Sequence, residues 1–378
     1  MPTPGGPASR PHSIGNWIVH RYQVRGPEVA PLKIALPDAS FAVEPTGEHV
    51  SSAAGMWRLE QARREPPHVT SDITAVLEDV IGPLRRLDDE EGGSAAALGM
   101  VNHHIQTITA YLTRGRTNSP AVRQRLIRAN AQLNQLAGWM AFDAERHVTA
   151  ERYFRVGLVA ARDIDDHDLT AYSLACMACH AAYGGQLPEA IGIADAAVRA
   201  ARESHPAVRS ITASRSGYAH AAAGDRKGFL AAADQTQQLW DTADREPKPD
   251  FLYWYGQDYI DIQRSESMQL LAFALPDGNV DMLREADELL DSRIARHAAS
   301  MPRDVALHSA WLARTHLRRG EIDRALSLTE HAVSLRSVRS PRVRKVLRAV
   351  KRDLAQSRSA RRLPRVRQLC QRIGELVT

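Results

Sequence analysis

The sequence predicts an all-α protein, a stack of antiparallel helical hairpins forming an α-solenoid behind an irregular N-terminal lead-in. Three observations predict it. A spaced pattern recurs, with a small residue, a turn residue seven positions on and another small residue five further. It reads Gly138…Glu145…Ala150, then Ala178…Gly185…Ala190, then Gly217…Gly224 with Phe229 in the last slot beside Gly228, and finally Ala313…Gly320…Ala325. The turn positions 145, 185 and 224 are 40 and 39 residues apart, and Gly278 would divide the stretch to Gly320 into 54 and 42; a period of this length marks stacked helical units. The composition agrees, because 44% apolar residues with only 6% aromatics suits helices that approach through small side chains.

Hairpin chemistry accounts for the pattern. Two helices cross closely only where a side chain is nearly absent, so Gly138, Ala178, Gly217 and Ala313 suit the crossing point of each first helix. Ala150, Ala190 and Ala325 suit the facing point of the second, and Gly157, Ala197 and Ala332 recur seven positions later. Gly185, Gly224 and Gly320 fall where the first helix must stop, and a helix end commonly needs a left-handed residue. The spacing resembles the tetratricopeptide repeat in a degenerate, elongated form. The usual aromatics are mostly replaced and the period exceeds the repeat's roughly 34 residues. The resemblance implies a right-handed solenoid.

Taken in order, residues 1–48 are rich in Pro and Gly around a short β-like run, Trp17–Val24, and are expected to be irregular. Residues 49–118 are expected to supply helices packing on the stack. One runs from His49 to Arg64 before Pro66-Pro67. Another spans Ser71 to Asp88 on an Ile73, Val76, Leu77, Val80, Ile81, Leu84, Leu87 stripe, kinked or split at Gly82-Pro83. A third covers Ala95 to Thr113. The repeats occupy 119–338, with helix starts at Ser119-Pro120, Asp168, Pro188, Pro206, Pro302 and Glu321. The segment Asp250–Tyr259 is read as opening the longest helix. Residues 339–378 form basic capping helices, one from Ser340-Pro341 to about Ser359 and one from Leu363-Pro364.

The net charge of +5 hides an asymmetry. Between Arg336 and Arg372 stand 14 Lys or Arg against the single acid Asp353, so the remaining chain carries −8. A basic tail on an acidic body points to nucleic acid or an acidic partner surface. No run approaches the roughly 18 apolar residues of a membrane span, and the opening residues have no secretory pattern. With three cysteines there is no disulfide framework, and a cytoplasmic location without membrane association is expected.

Motifs that could carry chemistry have plainer readings. Cys176-Met-Ala-Cys179-His180 has the spacing of a haem attachment or half a zinc site, but no second ligand pair exists and the motif lies inside a hairpin helix, so both cysteines read as structural. Asp163-Ile-Asp-Asp-His-Asp168 lacks the glycine and distal glutamate of a calcium loop, and Asp168 can instead cap the next helix. His103-His104 point about 100° apart on a helix, a poor metal geometry. No dinucleotide, phosphate-loop, zinc-protease or nucleophile-elbow motif occurs. Neither an enzyme, a metal nor a cofactor is expected.

Two surfaces remain. By their offsets from the turn residues, Gln132, Gln135, Trp139, Tyr172, Cys179, Tyr218 and Arg314 should line the concave face, a mixed amide, aromatic and cationic groove suited to a peptide, a protein partner or a small amphipathic molecule. On the tail helix, Val343, Val346, Leu347, Val350 and Leu354 share one face, leaving Arg342, Arg344, Lys345, Arg348, Lys351 and Arg352 for solvent, a nucleic acid or an acidic partner. A homodimer and a plain protein scaffold stay open.

Leu136-Ala-Gly-Trp-Met-Ala-Phe-Asp-Ala144 followed by Ala150-Glu-Arg-Tyr-Phe154 resembles the actinobacterial (Streptomyces-type) Cro/C1 (XRE)-family transcriptional regulators that carry C-terminal tetratricopeptide-like repeats. Met56-Trp-Arg58, Leu87-Asp-Asp-Glu-Glu-Gly-Gly93 and Ala219-His220 before Gly224-Asp225 extend the resemblance over roughly 48–378. It implies a sensor or dimerisation region in control of development or secondary metabolism. Members usually carry an N-terminal helix-turn-helix of about 60 residues. Residues 1–48 have neither that length nor that period. The expectation is therefore either a start downstream of the true one or a shortened paralogue acting through partners.

Overall fold

The computed structural model describes residues 68–115, 119–243, 247–275, 279–297, 302–335 and 340–377. They belong to one compact unit, 67–378, and are all-helical. The lead-in, the helix expected before Pro66, and Gly278 lie outside them.

The helices are α1 (Ser71–Asp79), α2 (Ile81–Glu91), α3 (Ala95–Arg114), α4 (Pro120–Asp143), α5 (His147–Asp163), α6 (His167–Tyr183), α7 (Leu187–Ala200), α8 (Pro206–Ala222), α9 (Arg226–Ala243), α10 (Gln257–Ala274), α11 (Val280–His297), α12 (Pro302–Arg319), α13 (Ile322–Ser334), α14 (Pro341–Gln356) and α15 (Pro364–Val377). They pack chiefly as neighbouring pairs: α4 with α5, α6 with α7, α8 with α9, α10 with α11, and α12 with α13.

Expected boundaries are corrected at three places. The first stripe is two helices broken at Val80, because Pro83 cannot donate to Asp79 and its ring crowds that carbonyl. The cap of α6 is Asp166, which accepts from Leu169 N at 2.9 Å, whereas Asp168 accepts from His205 N at 2.9 Å and ties the start of α6 to that of α8. Asp250–Leu252 is a separate 3-10 turn ahead of α10, and among the described residues the longest helix is α4, with 24 residues.

The turn pattern holds with one addition. Glu145 (φ 57°), Gly185 (77°), Gly224 (75°) and Gly320 (81°) are all left-handed, and so is Asp165 (53°). Each closes the same way. At the first, Glu145 N donates to the Phe142 carbonyl and Arg146 N to that of Ala141, both at 2.8–2.9 Å, a pairing that satisfies two otherwise orphaned helix-end carbonyls.

Packing divides the helices into two kinds. Second helices bury a single stripe, such as Ala150, Phe154, Gly157, Leu158 and Ala161 of α5 or Ala190, Ile193, Ala194 and Ala197 of α7. First helices are buried almost all round, as in Leu169–Cys179 of α6, because neighbouring hairpins cover their remaining faces. Gly138 is the crossing point of α4, but it faces Phe154 rather than Ala150; a Cβ there would stand 2.5 Å from the ring. Burying Phe154 contributes roughly 1.5–3 kcal/mol, and only glycine admits it. The expected stripe of α14, Val343, Val346, Leu347, Val350 and Leu354, is buried with α12, α13 and α15. No helix among the described residues is long and apolar enough to cross a membrane.

Candidate functional site

The first helices of the pairs enclose a cavity of about 300 Å³. Every even-numbered helix from α2 to α14 contributes to its wall, together with Phe251, Tyr253 and Trp254 ahead of α10 and Ile294 of α11. Five of the residues expected on the concave face line it: Gln135, Trp139, Tyr172, Cys179 and Tyr218. Gln132 is buried outside the lining and accepts from Arg85 Nη2 at 2.8 Å. Arg314 is elsewhere, with Nε 2.7 Å from Asp353 Oδ2 and its guanidinium over the Phe273 and Trp311 rings.

Two of the lining rings, Trp139 and Tyr172, are held by a cation that the spacing pattern missed. Arg215 of α8 is 1% exposed and its guanidinium lies 4.9 Å from the Trp139 ring and 5.0 Å from that of Tyr172. It donates to Cys176 Sγ at 2.7 Å, and Gln135 Nε2 stands 3.5 Å from the same sulfur. Tyr172 also stacks on Phe251 at 5.1 Å. A buried guanidinium between two aromatic faces is held by the ring quadrupoles, and in return it fixes both rings as rigid walls. Cys176 and Cys179 are free and buried, as structural cysteines should be, and burial pushes the Cys179 thiol up to about 11.

One end of the cavity is rich in carboxylates. Asp88 and Asp89 of α2, Asp143 at the end of α4, Glu266 of α10 and Asp304 of α12 gather around Arg303 and Arg342. Arg303 Nη1 is 3.2 Å from Asp143 Oδ2 and donates to the Asp88 carbonyl at 3.2 Å, while its Nε reaches Asp304 at 3.3 Å. Arg342 Nη1 donates to Asp143 Oδ1 at 2.7 Å. His308 Nε2 is 3.4 Å from Glu266, and the Tyr253 hydroxyl donates to Asp89.

These surroundings set the protonation states. Burial, with the Asp143 charge second, pushes Asp88 up to about 8 against the opposing pull of Arg303. Burial also raises Asp89, opposed by the Tyr253 hydrogen bond. At Asp304 burial acts upward too, but Arg303, His308 and Arg342 together hold the carboxyl below its usual range. Burial lowers Arg85.

Beside the cavity, the α4–α5 turn forms a polar cluster. Glu145 accepts from the Tyr183 hydroxyl and lies 3.2 Å from both Lys345 Nζ and His147 Nε2. His147 Nδ1 is 3.1 Å from His180 Nε2. Burial, then the His147 charge, lowers His180 to about 4.

The six expected basic-surface residues are dispersed by this arrangement. Arg342 is a cavity wall and Lys345 belongs to the Glu145 cluster. Arg348 donates to the Val377 carbonyl at 2.7 Å, Arg344 and Lys351 are half-buried, and Arg352 is exposed.

Sequence reasoning missed Asp88, Asp89, Tyr253, Trp254, Tyr259, Glu266, Arg303 and Asp304. A signal existed for some of them. Arg85, Asp88 and Asp89 share one helix face at i, i+3 and i+4, as do Tyr259, Gln263 and Glu266 at i, i+4 and i+7. Among the described residues no group of three or more His, Cys, Asp or Glu could hold a metal ion. No protein-family model matches the chain, and no curated protein matches it.

Proposed function

We propose that this chain is the sensor and interaction module of a cytoplasmic transcriptional regulator of development or secondary metabolism, without catalytic activity. In this reading it is a right-handed tetratricopeptide-like α-solenoid whose first helices bind a ligand on their inner side. The cavity carries the reading. Its volume of about 300 Å³ is at the lower end for small-molecule sites, which favours a compact ligand over a peptide. Its wall combines aromatic rings fixed by Arg215 with charged groups at one end, the mixture that orients an amphipathic molecule. The regulatory part rests on the resemblance carried by Gly138-Trp-Met-Ala-Phe-Asp143.

A ligand there touches α2 and α4 as well as α12 and α14, so it adds bonds between helices far apart in sequence. It shifts the arrangement only through different affinity for two states, and a partner or dimer contact would read out that shift. The test is thermal-shift screening of the purified chain against extract fractions, then titration calorimetry with the active compound. Loss of at least tenfold in affinity is expected for Trp139→Ala. Unchanged affinity in both Trp139→Ala and Tyr218→Ala refutes the cavity as the site.

A second reading has its own observation. Arg352, Arg358, Arg361 and Arg362 are exposed around the α14–α15 turn and could contact phosphates without reading sequence. A gel shift over a salt series on the Arg352→Gln/Arg361→Gln/Arg362→Gln variant separates it, because a phosphate role lowers the salt slope by roughly three.

A further inference from the structure

We infer that the cavity takes a small organic cation, its ammonium group set beside Asp88 and its apolar body against the aromatic wall; the inference rests on the ligand-binding reading above. The acidic end is short of positive charge. Asp88, Asp89, Asp143, Glu266 and Asp304 share Arg303, Arg342, Arg85 and the His308 imidazole. Arg303 and Arg342 are already engaged by Asp143, Asp304 and the Asp88 carbonyl, His308 by Glu266, and Arg85 by Gln132. Asp88 is left over among these carboxyl groups, and Arg342 Nε is left without a hydrogen-bond partner at the same end. Asp88 lines the cavity, is 5% exposed, and its Oδ1 has no hydrogen-bond partner.

A buried carboxyl oxygen without a partner is costly, and a cation of about the size of an ammonium would satisfy it by favouring the ionised form. The opposite charge fits poorly. An anion would meet the lining acids Asp88, Asp89, Asp258, Glu266 and Asp304, while Arg85 is turned to Gln132. The rest of the wall suits an apolar body beside a cation, since Trp139, Tyr172, Phe251 and Trp254 offer ring surface and aromatic faces favour positive charge.

Protonation gives an independent signature. The charges around Asp88 are Arg85 and Asp89 on its own helix, Asp143 of α4, Arg303, Asp304 and His308 of α12, and Arg342 of α14. Their balance with burial leaves Asp88 protonated up to about pH 8. A bound ammonium favours the ionised form, so binding below that pH releases a proton and affinity climbs as pH rises toward 8.

The test uses the full chain and three matched probes in titration calorimetry: tryptamine, its neutral alcohol analogue tryptophol, and the anion indole-3-propionate. Tryptamine is expected to bind at least tenfold more tightly than either analogue. Its affinity should rise several-fold from pH 6 to pH 8 and then level, while that of tryptophol stays flat. Asp88→Asn should bring tryptamine within about twofold of tryptophol; if that variant does not fold, the pH series on the wild-type chain decides. Binding of tryptophol or indole-3-propionate as tight as tryptamine overturns the cation assignment and leaves the cavity a ligand site. Failure of all three probes at millimolar concentration overturns the ligand-binding reading together with it.

Discussion

Asp143 and Arg342 are 199 positions apart in the chain, yet Arg342 Nη1 lies 2.7 Å from Asp143 Oδ1. The pair joins the last turn of the first repeat helix to the first turn of the basic tail helix. Asp143 is 2% exposed and is shared with Arg303, 3.2 Å away. The tail therefore completes the cavity wall with a cation that its composition alone would assign to solvent. Lys345, 3.2 Å from Glu145, repeats the contact one turn on.

Breaking this pair should destabilise the fold. Arg342→Met leaves the Asp143 carboxylate buried with one partner, at a cost of about 3 kcal/mol. Asp143→Asn in the same background should restore part of it. A double-mutant cycle by urea unfolding measures the coupling, and a coupling near zero would falsify the closure.

Asp88 should weaken the fold at neutral pH. Its carboxyl is raised to about 8 from an unfolded value near 4. The sign follows from proton binding. The folded state holds the extra proton, so the stabilisation is complete below about pH 4 and is lost as pH rises to 8. Asp88→Asn removes that loss and should gain roughly 2–4 kcal/mol at pH 7 relative to pH 4. The difference in melting temperature between variant and wild type should grow from pH 5 to pH 8 and then level.

His180 should act in the opposite direction. Its folded value of about 4 is below the unfolded value near 6.5, so the unfolded state binds the extra proton. Stability is full above about pH 6.5 and is lost as pH falls toward 4, by about 2 kcal/mol after allowance for its partial exposure. His180→Gln should flatten this acid limb in a pH series of urea midpoints. Asp88 and His180 oppose each other between pH 4 and 6.5, so each is read as a variant-minus-wild-type difference.

Two backbone substitutions should move stability in contrary senses. Gly138→Ala drives a methyl to 2.5 Å from the Phe154 ring and should cost roughly 1–3 kcal/mol. Asp165→Gly relieves an exposed left-handed residue and should gain about 0.5 kcal/mol, the strain relieved exceeding the added backbone entropy. Denaturant midpoints of the two variants check both.

The turn positions were readable because their chemistry is local. Gly185, Gly224 and Gly320 announce left-handed helix ends by residue type, and the spacing of the pattern adds Glu145. Asp165 escaped, since nothing in its type demands a left-handed backbone. Half-buried helices such as α5 and α14 show their inner face as a period in the sequence. Helices buried all round, such as α6 and α8, show no such face, which is why Arg215 gave no sign of being inside.

By itself the sequence determined the helical class, the pairing of helices into hairpins, and five cavity residues, Gln135, Trp139, Tyr172, Cys179 and Tyr218. All follow from interactions between residues within about forty positions of one another. The tertiary structure alone decided that Asp88, Tyr253, Glu266, Arg303 and Arg342 meet them, and that Arg314 does not. Those contacts span more than two hundred positions, and their charges acquire meaning only when burial removes the water that would screen them.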